Sequence, residues 1–511
     1  MRVPALTCPL LPWPATAFPS SLKAATRRLR EHLAHRVDAC GAVREPCHSR
    51  VLESALAWPL LRELTGHKEE KQRLGAYLQR QRTVAGPVDA ALAGAALAGR
   101  ARSAAALAQR LVADAPDFTA PRKKALIAAV LTMLGLPHPH NAPAPGPRAF
   151  SPEGLHPWAL VQFTAAKVIL APKDDRSLAP GDVALLLSTQ QDGRIWEANL
   201  LIHLSVLHAL ARVPGHEHVV TAGLRLALRH QRADGGLPFV TDVDTWATVT
   251  TGVALASTGA PTPVLDRIAG HLTEQQKPSG GWSYTDQAAL SDVDCTTVAL
   301  EFLQQHDPCA HQAPIRRGTD ALTALQNTDG GFPTYVAGAP SEACMTAAAI
   351  NALTTQDPGH EQAIHSALEF LATCQRPDGS FPPGWSSSQL HTLFRALLAT
   401  APHPHHPAAR TVTTRALDLV RSRQLPDGGF GQQEGSPSDP ISTAYALICL
   451  TRQHDHVPAA RATRYLLDHQ LPDGSVLSVP DMLGPRPFPY TVPALASTCA
   501  LLALSHLTHR L

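Results

Sequence analysis

The stretch QKPSGGWSY, Gln276 to Tyr284, decides how the chain is organised, because it recurs. It is a glutamine, a short turn carrying Asp or Ser, a glycine, a small residue and an aromatic. Related copies read QRADGGLPF from Gln231, QNTDGGFPTY from Gln326, QRPDGSFPPGW from Gln375, QLPDGGFGQ from Gln424 and a decayed QLPDGSVLS from Gln470. Successive glutamines lie 45, 50, 49, 49 and 46 residues apart, room for one pair of helices and its connections.

Each unit has the same grammar. An amphipathic stretch ends at the glutamine, a Pro/Asp/Gly turn and a short aromatic segment follow, and a nearly uncharged Ala/Leu/Thr-rich helix comes next. Charge on one face, as in LDRIAGHLTEQQ, suits an outer helix, and its absence in TAAAINAL and TAYALICL suits an inner one. The expected fold is all-α in two helical domains. Residues 216–511 are expected to form a closed (α/α)6 barrel of six inner and six outer helices around an axial cavity. Residues 40–215 are expected to form a second α-helical domain carrying one further mark, QQDGRIW at Gln190, and residues 1–39 an N-terminal segment packing on the barrel. The Pro-rich PHPHNAPAPGP, Pro137 to Pro147, reads as a surface connection.

With 511 residues, 44% hydrophobic, 44 Lys+Arg against 42 Asp+Glu and a net charge of +2, the chain buries large cores and gives no reason to expect nucleic acid as partner. The 26 histidines form no HExxH-like spacing, so no metal ligands are assigned. Nine widely spaced cysteines without a CxxC pair point to a reducing compartment, and prolines interrupt the apolar N-terminus where a signal helix would lie. No run is long and apolar enough to span a membrane. The expectation is a cytoplasmic protein, with peripheral membrane contact and oligomeric state left open.

The sharpest feature is SDVDCTTVALEFL, Ser291 to Leu303, where Asp292 and Asp294 stand at the mouth of an inner helix. One reading is a helix cap, in which Asp294, Thr296 or Thr297 accepts free backbone N–H groups. The other is an acid, because a carboxyl at the rim of an apolar cavity is costly to bury charged and stays protonated.

Together, Gln-x-x-x-Gly-Trp and Asp-Val-Asp-Cys-Thr resemble the class II terpene cyclases, which include squalene-hopene, oxidosqualene and bacterial diterpene cyclases, over about 280 residues from Asp234 to Leu511. The repeats correspond to that family's QW motifs. The resemblance implies that Asp294, the middle aspartate of the family's Asp-x-Asp-Asp signature, is the general acid, with Asp292 beside it. Cys295 stands where bacterial members usually carry a further Asp, so its thiol becomes the group expected to orient the acid, as in the Asp-Cys-Thr branch. Cys344, on the next inner helix, is a candidate acid partner, with a small buried apolar role as the alternative.

Protonating an alkene requires a neutral carboxylic acid, a dry pocket and electron-rich walls for the carbocation. Trp246, Trp282, Tyr284, Tyr335, Trp385, Phe394 and Tyr445 are the candidate lining residues, and for each of them packing of a turn against a helix is the competing reading. TDVDTWATVTTGVAL from Thr241 repeats the aspartate spacing at Asp242 and Asp244, which are assigned wall and cap duties. No DDxxD marks initiation by loss of diphosphate, and the chain length is closer to two-domain diterpene cyclases than to triterpene cyclases. The expected activity is protonation-initiated cyclisation of an isoprenoid, farnesyl or geranylgeranyl diphosphate, with the diphosphate kept. Mg2+ would serve only to hold that diphosphate, and no nucleotide cofactor is called for. Lys167, Arg229 and Arg232 are available cations, none assigned to a site. Alternatives are a squalene-type or meroterpenoid cyclase, a zinc protein-prenyltransferase subunit, an α/α-barrel glycosidase and a non-catalytic lipid- or protein-binding scaffold.

Overall fold

The structure is a computed structural model describing residues 12–98, 120–136, 147–172, 179–355, 359–486 and 488–511. The expected Pro-rich connection at 137–146 lies outside the described residues. The chain divides into two units, Met1–Pro46 with Val243–Leu483 and Thr491–Leu511, and Cys47–Asp242 with Gly484–Tyr490. Among the described residues, no helix is long and apolar enough to cross a membrane.

The first unit is the expected ring of helix pairs. Its inner helices are Asp244–Ser257, Val293–His306, Ala343–Thr354, Leu390–Thr400, Pro440–Leu450 and Leu495–Thr508. Each packs on the next, and the last returns to the first. Their low charge follows from burial on both flanks; every residue of Pro440–Leu450 is buried. Outer helices bury one stripe only, as Pro407–Ser422 does with Ala408, Val412, Ala416 and Val420.

The glutamine turn fastens each pair to the next. Gln276 Nε2 donates to its own turn, at Gly280 O (2.6 Å), and to Pro314 O on the following outer helix (2.8 Å). Gln326 bonds Gly330 O and Ala363 O, Gln375 bonds Gly379 O and Val412 O, and Gln424 bonds Gly428 O and Pro458 O in the same way. The turn glycine is needed twice over. Gly330 has φ +83, and a Cβ there would lie 2.4 Å from Ser366 O of the next outer helix.

The domain boundary falls elsewhere than expected. The helix Glu217–Leu228 and the mark at Gln231 belong to the second unit, where Gln231 bonds Gly235 O and Glu70 O. The ring takes its remaining outer helix, Leu22–His35, from the N-terminus: Gln470 bonds Ala25 O and Gly474 O (3.0 Å each), and Gly474 seats on Arg28 O. Residues after that helix supply a clamp that lacks the glutamine, with Gly41 seated on Arg267 O and Val43 N–H bonded to Thr248 Oγ1 (2.8 Å). The repeat grammar closes in space and not at a sequence boundary.

The second unit is also helical, from Val51–Glu63 to Glu217–Leu228, with a short antiparallel pair joining Ser49–Arg50 to Leu237–Pro238. Arg50, 5% exposed beside the fully buried Glu53, donates to Gly484 O and Phe488 O and so ties the Gly484–Tyr490 loop into this unit.

Two alanine substitutions separate the clamp from backbone conformation. Gly338 has φ +80 with nothing within 4 Å of a Cβ, so Gly338→Ala is expected to cost about 1–2 kcal/mol. Gly330→Ala adds the collision with Ser366 O and is expected to cost distinctly more, read from urea unfolding midpoints of the two variants.

Candidate active site

Asp292 and Asp294 divide the two readings between them. Asp292 is the N-cap of Val293–His306, accepting Cys295 N–H at 2.7 Å. This is an ordinary repeat position. In five units an amide donates to a hydroxyl one turn into the following inner helix: Trp282 to Thr296 (3.0 Å), Phe332 to Thr346 (2.9 Å), Phe430 to Thr443 (2.9 Å), Val43 to Thr248 (2.8 Å) and Val476 to Ser497 (2.9 Å). Four residues before the first four of those hydroxyls stand Asp292, Glu342, Asp439 and Asp244, all acidic, whereas Pro493 precedes Ser497. Two residues later the equivalents of Asp294 are Cys344, Ile441 and Trp246. Capping therefore accounts for Asp292 and leaves Asp294 unexplained.

The apparent match of Asp242 and Asp244 to Asp292 and Asp294 is out by two residues. Asp244 is the counterpart of Asp292; its carboxylate accepts Glu45 N–H at 2.7 Å and pairs with Arg44 at 2.9 Å. Asp242 falls in the other unit.

Asp294 is held by side chains from two other inner helices, the neighbouring Asp244–Ser257 and the more distant Leu390–Thr400. Arg395 Nη2 lies 2.6 Å from its Oδ1, and Trp246 Nε1 donates to Oδ2 at 3.1 Å. Burial works to raise its pKa, but Arg395 and the Trp246 N–H outweigh it, and the carboxyl lies below its ordinary range. Asp292 goes the other way: burial and the Asp294 charge push it up to about 7. The pair thus shares one proton in the neutral range, with the resting proton on Asp292. The Cys295 thiol bonds Asp292 and not Asp294, so the acid-orienting role expected of it is corrected to support of the cap. Cys344 is buried and acts electrostatically on Arg395.

The aromatic candidates separate by environment. Trp282 is fully buried, donates Nε1 to Leu272 O at 2.7 Å and packs where a Cβ on Gly318 would sit 2.8 Å from its ring, so it fastens the turn to the outer helices and is withdrawn as a lining residue. Tyr284 is half-buried, and its carbonyl accepts Trp246 N–H at 3.1 Å. Tyr335 stands edge-on to Trp385 at 6.1 Å, and Trp385 donates Nε1 to Thr334 Oγ1 at 3.1 Å. Phe394 and Tyr445 stack at 4.8 Å, with His391 edge-on to both. Burial drives His391 down to about 3, which keeps it neutral. Tyr445 donates its hydroxyl to buried Asp481 at 3.2 Å.

Partial exposure persists at Asp294, Glu301, Thr250, Val253, Asn351, Leu398 and Leu502 on helices otherwise buried. Arg395, His391, Glu301 and Asp481 are the polar groups of this region that sequence reasoning missed. A signal existed for two of them: Arg395 is the only formal charge in LHTLFRALLAT, and Glu301 interrupts the apolar VALEFL. The cations Lys167 and Arg232, weighed for a diphosphate, are engaged elsewhere, Lys167 with Asp182 at 2.6 Å and Arg232 with the carbonyls of Cys47 and Thr241.

Residues 268–478 match the prenyltransferase alpha-alpha toroid domain family. The chain is 38% identical over 528 aligned positions to a drimenyl diphosphate synthase of Streptantibioticus cattleyicolor, covering 98% of each chain. It belongs to the class II terpene cyclases. It is also 36% identical to a drimenyl diphosphate synthase of Streptomyces showdoensis, covering 97% of each chain. In fold, this cyclase matches the ent-copalyl diphosphate synthase of Streptomyces platensis with a TM-score of 0.60 at 18% identity, over 96% of this chain and 100% of that one. As a member of this family the chain is an enzyme, and its chemistry uses no nucleotide cofactor.

Breaking the central ion pair exposes its energetics. Arg395→Leu strands a buried carboxylate and is expected to cost this cyclase about 3–5 kcal/mol. In that variant burial acts on Asp294 without the cation, so the loss should be largest at high pH and relieved as pH falls and the carboxyl takes a proton. Arg395→Leu with Asp294→Asn should recover part of it, measured by denaturant unfolding across pH.

Proposed function

We propose that this cyclase converts farnesyl diphosphate to drimenyl diphosphate, with Asp294 as the proton donor and the diphosphate kept intact. The observation that carries the reading is Asp294 itself: a carboxyl that the repeat's capping rule does not require, enclosed between Trp246 and Arg395 on the inner helices. The names of the two relatives, aligned over nearly the whole chain, support the substrate and product class.

In the proposed reaction Asp294 protonates the terminal alkene, and the tertiary cation is attacked by the two internal alkenes in turn. A proton lost beside the last cationic carbon leaves a double bond. One proton enters and one leaves, so the reaction is an isomerisation. The faces of Trp246, Phe394 and Tyr445 are the electron-rich surfaces offered to the passing cation, each worth about 0.5–2 kcal/mol. Arg395 keeps Asp294 ionised at rest, so donation requires the guanidinium to withdraw and the pair's proton to reside on Asp294. Mg2+ would only balance the diphosphate's charge. Among the described residues no three-carboxylate group forms to hold it, and no step is routed through it.

Farnesyl diphosphate, geranylgeranyl diphosphate and squalene supplied in parallel, with mass spectrometry of the products, test the substrate. Farnesyl diphosphate is expected to give a bicyclic product that still carries diphosphate; turnover of squalene alone would refute the assignment. Asp294→Asn should lower turnover at least about a hundredfold with unchanged helical circular dichroism. Turnover should be lost as pH rises through about 7, where the Asp292/Asp294 pair loses its shared proton. Arg395→Gln should move that loss to higher pH, because the cation holding the carboxyl down is gone.

A further inference from the structure

The proposed reaction leaves its final proton without an acceptor, and the chain places one unassigned carboxyl on the face that carries the donor. Glu301 follows Asp294 by seven residues on Val293–His306, which returns it to nearly the same side of the helix about 10 Å further along. It keeps partial exposure although apolar residues flank it in sequence. Asn351, on the next inner helix and also partly exposed, hydrogen-bonds it. The charged groups acting on it are Arg395 from Leu390–Thr400, which favours the carboxylate, and Asp294 on its own helix, which opposes it.

We propose that Glu301, oriented by Asn351, is the base that takes the proton from the cyclised cation and ends the reaction. This rests on the reading of Asp294 as donor. A C–H bond beside the cationic carbon breaks, its electrons become the new double bond, and the proton passes to the Glu301 carboxylate and then to solvent. Asp294 recovers its proton from solvent, so the overall isomerisation balances. The spacing along the helix matches the geometry of the task, since donor and acceptor must address opposite ends of a fused two-ring skeleton. Arg395, between the two carboxyls in its electrostatic reach, favours an ionised base at one end and must release the acid at the other.

The test uses wild type, Glu301→Gln and Glu301→Asp with farnesyl diphosphate, reading products and pH profiles together. Burial holds Glu301 near 7, so wild type should also lose activity below about 7, giving a narrow optimum with the loss above 7 described for the aspartate pair. Glu301→Gln should form the wild-type product at least about tenfold more slowly, divert flux to water-capture or isomeric alkene products, and lose the low-pH limb while keeping the high-pH one. Glu301→Asp should restore part of both. A Glu301→Gln enzyme with the wild-type product ratio and pH profile overturns the proposal, as does a uniform slowing with neither changed. A wild type that cyclises no isoprenoid overturns the function reading and this proposal with it.

A different observation carries a second inference. Among the described residues one group of potential metal ligands forms, His365, Glu369 and His406, with ligand atoms within 4.8 Å of one another. His365 and Glu369 are one turn apart on the face of Glu361–Cys374, and His406 caps the next outer helix, Pro407–Ser422. His406 Nε2 lies 2.8 Å from His365 Nδ1 and 3.8 Å from Glu369 Oε1. Two imidazole nitrogens this close cannot both carry a proton, so at least one of them presents a lone pair.

The geometry points to a Zn2+ site that straps these two outer helices together on the outside of the ring, with water completing the coordination. Zn2+ titrated into chelator-stripped full-length protein should bind one per chain and raise the melting temperature by a few degrees. His365→Ala and His406→Ala should each weaken binding at least about tenfold and abolish the shift, with cyclase turnover unchanged. Absence of binding at tens of micromolar Zn2+, or equal affinity in both variants, overturns the site.

Discussion

The ring depends on one small device, a glutamine amide that bonds its own turn and the next outer helix at once. Its two N–H groups reach two carbonyls, one in its own turn and one near the start of the next outer helix, and the glycine in the turn lets two backbones meet. Each clamp reaches forward to the next pair, and the last inner helix packs on the first. Closure is completed by Leu22–His35, which receives the clamp of Gln470. The helix Leu22–His35 is therefore part of the ring's outer wall.

Within that frame the proposed chemistry rests on departures from the repeat. Inner helices are uncharged because both flanks are buried, and against this background Asp294, Arg395 and Glu301 stand out as charges that packing does not need. Their proximity sets opposite tendencies in neighbouring carboxyls: Arg395 holds Asp294 down, while burial and the Asp294 charge lift Asp292. A capping aspartate, Asp292, and an aspartate that capping does not explain, Asp294, thus stand within three residues. The aromatic residues divide along the same line, with Trp282 spent on fastening the turn and Trp246 turned to the carboxylate.

Much of this was legible in advance. The period of the glutamine turns and the alternation of charged and uncharged helices required a ring of helix pairs, and the DVDC start of one inner helix singled out Asp294. The boundary at residue 216 was misread because the mark at Gln231 obeys the same local grammar while clamping a helix of the second unit. Trp282 was misread because an aromatic after a glycine looks the same whether it faces outward to the next helix or inward to the axis. Cys295 was given to the wrong aspartate, since sequence adjacency does not tell which carboxyl a thiol on a helix's first turn will meet.

The sequence by itself determined the helix pairs, their order and the residue most in need of a functional explanation, because periodicity, turn chemistry and an isolated charge are local properties. Only the tertiary structure decided which helix closes the ring, which aspartate is the cap, and that Arg395, about a hundred residues downstream, meets Asp294. It likewise brought His406 to His365 and Glu369 across two outer helices. Such pairings are set by how the pairs wrap around a common axis, and no spacing along the chain records that geometry.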